Sequence, residues 1–141
     1  MIVLSKELYE EVWTLVEQSQ HEYEGTNLEN VTSLLERAWN LLPEPKVECE
    51  ESFLISRWYI KTAIKFSDAE LMRKWAEIIM VADLGRFDSG EREGWYGRVA
   101  YELGNYEIAR KFLCMALKKS KGRCFDKNDK KYLDFIKLNT T

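Results

Sequence analysis

Apolar residues recur along this chain at spacings of three and four, the period of an α-helix with one buried face. Leu8, Val12, Leu15 and Val16, with Trp13 beside them, draw such a stripe from about Ser5 to Tyr23, and Gly25-Thr26-Asn27 stops it. A second helix is predicted from about Leu28, with Val31, Leu34, Leu35, Ala38 and Leu42 inward. It halts at Pro43-Glu44-Pro45, because each proline disfavours helix in the residue before it. From about Glu48 to Phe66 the apolar residues nearly surround the helix, among them Phe53, Leu54, Ile55, Trp58, Tyr59, Ile60, Ala63 and Ile64. This third helix is therefore expected to lie between neighbours. Ser67-Asp68 can cap a fourth, running through Leu71, Met72, Trp75, Ala76, Ile79 and Met80 to about Leu84. In the loop that follows, Asp88 and Glu91 have the spacing of a capping box, with Asp in place of the usual Ser or Thr.

The stretch from Gly97 to Lys119 reads as a helical hairpin. Gly97 lets two helices approach closely, Gly104-Asn105 can take the φ > 0 turn that ends the first helix, and Ala109 and Ala116 are small at the crossing on the second. Lys121-Gly122-Arg123 ends the sixth helix, and Asp126 to Lys137, with Tyr132, Leu133, Phe135 and Ile136 apolar, is predicted to cover the exposed end. No strand pattern competes. The punctuation resembles a tetratricopeptide repeat, a helix-turn-helix unit of about 34 residues with small and aromatic residues at fixed offsets. The resemblance is firm in residues 95–119, looser in 5–43, where Ala38 followed by Pro43 matches the end of a unit, and weaker still in 49–84. It departs from the pattern at three positions. Trp95 precedes Gly97 by two residues where the pattern has four, Tyr96 takes the Leu position, and Leu113 stands where an aromatic is usual. The expected fold is all-α: a tetratricopeptide-like α-α hairpin stack of three helix pairs plus a C-terminal capping helix, as one domain over residues 1–141.

A chain of 141 residues is long enough for one domain with a sizeable core. No apolar run approaches the roughly 20 residues of a membrane helix, and Met1-Ile2-Val3-Leu4-Ser5-Lys6-Glu7 lacks a secretory pattern, so a cytoplasmic location is expected. Cys49, Cys114 and Cys124 are an odd number without a CxxC pair, which argues for reduced thiols in or near the core. The net charge of −3 is unevenly distributed. Residues 1–56 hold twelve Glu against Lys6, Arg37 and Lys46, whereas residues 57–141 hold eighteen Lys and Arg against twelve Asp and Glu. Such a dipole can steer a charged partner, or reflect nothing more than solvated helix faces of different sign.

The residues offer little chemistry. His21 is the only histidine, on a Glu-rich helix, and the adjacent pairs Glu10-Glu11 and Glu50-Glu51 point about 100° apart on a helix, so neither converges as an acid–base pair. Phosphate-binding glycine patterns are absent. Cys124 has basic neighbours, Lys121 and Arg123, but no histidine nearby in sequence. The expectation is of no enzyme, no cofactor and no metal. The basic segment from Arg110 to Lys131 raises nucleic acid as a partner. Against it stand the acidic balance of the whole chain and the core-like positions of Phe112, Phe125, Tyr132 and Phe135, which are not free to stack on bases.

A second resemblance spans the chain. Leu42-Pro43-Glu44-Pro45, Asp83 with Arg86 and Asp88, the Gly97 to Gly104 segment, and Lys119 to Phe125 before Asp129-Lys130-Lys131-Tyr132 together look like small bacterial tetratricopeptide-like proteins encoded beside polymorphic toxin genes. The resemblance implies an immunity protein, one that binds the toxin domain of a contact-dependent or Rhs-type effector and blocks it. The acidic first half fits independently, since nuclease toxins are basic and an acidic helix face could occupy that surface. The alternative is a tetratricopeptide adaptor or chaperone module that holds a peptide segment. Contacts are expected from the first helices of the pairs and their loops: Tyr23, Arg57, Lys61, Arg98, Tyr101 and Glu102, with Glu10, Glu17 and Glu24 for a basic partner.

Overall fold

The computed structural model describes residues 1–138, and every regular element among them is helical. The helices are α1 (Lys6–Tyr23), α2 (Leu28–Leu41), α3 (Glu51–Lys65), α4 (Ala69–Val81), α5 (Glu91–Glu102), α6 (Tyr106–Ser120) and α7 (Lys130–Leu138). Short 3-10 turns at Lys46–Glu48 and Lys127–Asp129 precede α3 and α7. The described residues form two compact units, one from Met1 to Arg86 and the other from Phe87 onward.

In the first unit α1 packs on α2, α2 on α3 and α3 on α4. Local chemistry starts three of these helices where the pattern predicts, α3 having no side-chain cap. Ser5 and Asn27 accept from the backbone N–H groups of Leu8 and Asn30, and Asp68 accepts from Leu71 at 3.1 Å, so one orphan donor of each first turn is satisfied. The stripes read from the sequence become the core: Val12, Leu15 and Val16 of α1, Val31, Leu35 and Ala38 of α2, and Met72, Trp75, Ala76 and Ile79 of α4 are buried. Each large aliphatic side chain so buried contributes about 1.5–3 kcal/mol. Helix α3, flanked by α2 and α4, is buried on most of its circumference. Its buried Ser52, Ser56 and Thr62 donate to backbone carbonyls three or four residues earlier: Ser52 to Cys49 O, Ser56 to Ser52 O and Thr62 to Trp58 O, all at 2.7 Å. This bonding lets polar residues sit in a core without an orphaned group. The end of α3 turns through Ser67, a non-glycine residue at φ 56, while Asp68 N–H reaches back to Ala63 O at 2.9 Å. Two further ties close the unit. Ile2 N–H donates to Glu48 O, and Asp83 N–H donates to Val47 O at 2.7 Å.

In the second unit α5 packs on α6, and α6 on α7. At Gly97 the backbones of α5 and α6 approach closely. A Cβ there would lie 2.8 Å from Leu113 Cγ and 2.9 Å from Leu113 N, so no larger residue fits without moving backbone. Leu113, the departure from the repeat pattern, is thus the residue that fills the Gly97 notch. Ala109 and Ala116 are fully buried on α6. Gly104 turns the hairpin at φ 81, with Asn105 N–H bonded to Ala100 O at 2.8 Å.

One local expectation fails. The chain enters α5 through Gly90, in the left-handed region at φ 86 and without a side-chain cap, so Asp88 and Glu91 form no capping box. A Cβ on Gly90 would come within 3.0 Å of Ala116 O and of Lys119 Cβ, so the approach of α6 decides the helix start. Asp88 instead accepts from Lys119 Nζ at 3.0 Å, and Lys119 also pairs with Glu93. Those two carboxylates raise the Lys119 pKa, Glu93 more than Asp88, and Lys119 lowers that of Asp88. A capping box does form at the other end of the unit, between Asp126 and Asp129 ahead of α7.

Candidate protein-binding site

Two concavities of the first unit carry its distinctive chemistry. The larger, of about 820 Å³, runs between α1 and α2. Glu7, Glu10, Glu11, Thr14 and Gln18 line it from α1, spaced so that one helix face presents them all, and Arg37 and Asn40 line it from α2. This face is strongly negative. Of the twelve Glu in residues 1–56, all but Glu51 are exposed to solvent.

The smaller pocket, of about 340 Å³, lies between α1 and α3. Tyr9 and Trp13 approach it from α1, with rings 6.2 Å apart and edge to face, and the Trp13 indole N–H donates to the Tyr9 hydroxyl. Phe53 and Arg57 come from α3, and Arg86 follows α4 with its guanidinium carbon 3.8 Å above the Phe53 ring centre. Glu51, in the first turn of α3, also lines the pocket, and its Oε1 is sealed from solvent without a hydrogen-bond partner. Burial raises its pKa, a hydrogen bond from its own backbone N–H opposes that in part, and the nearby charges of Glu50 and Asp83 push it up further.

The residues expected from the sequence to meet a partner fall into separate places. Glu10 lines the acidic groove, and Glu17 and Glu24 are exposed on α1 and at its end. Tyr23 and Lys61 meet through Trp58: the Tyr23 and Trp58 rings pack edge to face at 5.5 Å, and Lys61 Nζ sits 4.4 Å over Trp58. Lys65 joins them, 4.4 Å over Tyr23 and donating to Tyr23 O and Gly25 O. Burial raises the pKa of the Tyr23 hydroxyl, as does Glu24. Arg57 is half-buried at the smaller pocket.

The α5 candidates are turned toward their own unit. Arg98 is 3% exposed. Its guanidinium makes two 3.2 Å contacts with the Asp129 carboxylate, donates to Cys124 O at 2.8 Å, and lies 4.4 Å over Trp95. Its charge is therefore spent on α7's cap and is not offered to a partner. Tyr101 packs among Tyr106, Tyr132 and Phe135, and Glu102 accepts from the Tyr132 hydroxyl at 2.8 Å and pairs with Lys131. The arginine was legible as a charge on a helix face, but its burial depends on Asp129, 31 residues away.

Sequence reasoning did not count Tyr9, Phe53, Glu51 or Arg86 among the residues expected to meet a partner. The signal available was on α1, where Tyr9 and Trp13 widen the apolar face beyond what α2 covers.

Neither a family model, a curated protein nor a solved structure matches the chain. Among the described residues no group of three or more His, Cys, Asp or Glu side chains is placed to hold a metal ion, and no helix is long and apolar enough to cross a membrane. The three cysteines are free thiols, and burial raises the pKa of Cys49.

Proposed function

We propose that this chain is a protein-binding module that neutralises the toxin domain of a bacterial effector in the cytoplasm, with its three helix pairs as tetratricopeptide-like hairpins and α7 as the cap. The observation that carries the reading is the acidic face of the first unit, where Glu7, Glu10 and Glu11 line an open groove without an ion pair among the described residues. Carboxylates left unpaired and solvated are available to a basic surface, and they cost nothing in broken internal contacts when that surface arrives. A toxin that acts on nucleic acid has such a surface, because its substrate is a polyanion. The Gly97 notch filled by Leu113, and the buried Ala109, Ala116 and Ala38, support the hairpin assignment. The packing of α2 on α3 supports stacking of hairpins within the first unit.

A second reading, a module that holds a peptide segment, is favoured by the pocket between α1 and α3, which is small and aromatic-walled. The two differ in what they bind. Co-expression with the C-terminal domain of a secreted effector encoded beside the gene is expected to restore growth and yield a one-to-one complex on gel filtration. Continued toxicity with no complex would overturn the immunity reading, and micromolar binding of short peptides without a folded partner would support the adaptor.

A further inference from the structure

The exposed faces of α1 and α6 carry opposite charges in matching order. On α1 the carboxylates of Glu7, Glu10 and Glu17 follow one another at intervals of three and then seven residues. On α6 and its C-cap the ammonium groups of Lys111, Lys118 and Lys121 follow at seven and then three. Steps of three and seven residues return to nearly the same side of a helix, so each series lies along one face. At about 1.5 Å of rise per residue the charges stand about 4.5 Å and 10.5 Å apart on either axis, and the two series coincide when the helices run antiparallel. All six residues are exposed, and among the described residues none of them is held in an ion pair. Charges of the wrong sign are few on both faces: α1 has five glutamates to Lys6 alone, with Arg37 beside it on α2, and α6 has four cations to Glu107 alone.

We propose that the acidic face of α1 in one copy of this chain docks antiparallel on the basic face of α6 in a second copy. A second copy is the occupant because the chain itself carries both series, in register with each other. The helix dipoles favour the same direction, since antiparallel docking sets the negative C-terminal end of α6 beside the positive N-terminal end of α1. Between the charges this register places Cys114 opposite Thr14, two small side chains that do not hold the helices apart. The groove beside α1, with half-buried Leu41 in its wall, has room for Leu117 of the incoming helix. The contact is heterologous, joining two different surfaces of the same chain. A basic toxin domain on the acidic face would displace the second copy, but docking of the copies does not depend on a toxin.

Exposed ion pairs are individually weak and screened by salt, so the test is made at high protein concentration and low ionic strength. The full chain at about 200 μM in about 10 mM salt is expected to sediment with a weight-average mass well above the 16.7 kDa of one copy. In about 1 M salt, where the Debye length falls from about 30 Å to about 3 Å, it is expected to return to that mass. Glu7→Lys with Glu10→Lys and Glu17→Lys makes both faces basic, and Lys111→Glu with Lys118→Glu and Lys121→Glu makes both acidic. Each triple variant alone is expected to sediment as a single copy, and the two mixed one-to-one to associate again. A neutral triple variant, Glu7→Gln with Glu10→Gln and Glu17→Gln, spares the start of α1 a reversed charge and is expected to weaken association about tenfold. Circular dichroism establishes that all three stay helical. A parent chain that stays single at low salt, or association that salt does not weaken, would overturn the proposal. So would self-association kept by either reversed variant, reversed variants that stay apart when mixed, or an unchanged affinity in the neutral one. Association of copies in a chain that no basic toxin domain binds leaves the contact standing and removes the immunity reading. A chain that binds such a domain yet stays single removes the contact alone.

Discussion

Glu51 and Ser67 show how single positions in this chain carry a cost that their surroundings offset. A carboxyl whose folded pKa is raised by burial is charged at neutral pH against the preference of its site. Above its folded pKa the charged form therefore subtracts from stability, and as pH falls through that pKa toward 4.5 and below, protonation removes the penalty. Glu51→Gln is expected to be more stable than the parent at pH 7, with the difference shrinking as the pH is lowered through this window, as read by urea unfolding at several pH values. Ser67 holds a left-handed conformation that costs a side-chain-bearing residue about 1 kcal/mol relative to glycine. Ser67→Gly is accordingly expected to raise the midpoint of thermal unfolding, as Gly104 illustrates at the equivalent turn of the second unit. A lower midpoint would mean that the serine side chain contributes more than its backbone costs.

At the scale of elements, two devices hold the second unit. The first is steric. Because a Cβ at Gly97 already meets Leu113 backbone, Gly97→Ala is expected to cost about 1–3 kcal/mol by overpacking, and Gly97→Leu more. Denaturant midpoints equal to the parent's would show that α5 and α6 do not meet at this residue. The second device is electrostatic and fastens the tail to α5. Arg98 is 3% and Asp129 14% exposed, so removing one partner strands a buried charge. Asp129→Ala should lower the unfolding free energy by about 3 kcal/mol or more, whereas the double variant Arg98→Met with Asp129→Ala should recover part of that loss. A double-mutant cycle in which the two losses simply add would place the stabilisation in packing alone. The pair also accounts for the position of α7: Asp129 accepts both from Arg98 and from Asp126 N–H at 2.9 Å, so one carboxylate caps the tail and anchors it.

For the molecule as a whole the question is charge. The glutamates of residues 1–56, Glu51 apart, are exposed, and the basic residues of the second half are partly engaged, with Lys119, Lys130 and Lys131 each paired to a carboxylate. Solvated charges act at a distance and on the rate of encounter, and salt weakens them. Reversing Glu10, Glu17 and Glu24 together is therefore expected to slow association with a basic toxin domain at low salt far more than reversing Lys118 and Lys121, with the difference closing at high ionic strength. Stopped-flow mixing at two salt concentrations measures this, with circular dichroism to establish that both variants stay helical. Equal slowing by both sets would mean that the partner does not dock on the acidic face of α1.

The pattern of apolar and polar residues by itself determined that this chain is helical, the course of each helix to within a few residues, and much of the core, because a 3.6-residue period and local caps act within a few residues of sequence. Leu15, Leu35 and Trp75 are buried because of where they fall on their own helices, and Asp68 caps α4 because Leu71 follows it three residues later. Tertiary structure decided what depends on residues far apart in the chain. Gly90 displaced the capping box expected at Asp88 because α6 arrives against it. Arg98 became a buried anchor because Asp129 comes to it across 31 positions, and one carboxylate oxygen of Glu51 became sealed from solvent beside Tyr9 and Trp13 because α3 packs where it does. A helix face announces that it will be covered, but the identity of what covers it, and so whether a charge there is solvated, paired or left waiting for a partner, is set only when the helices meet.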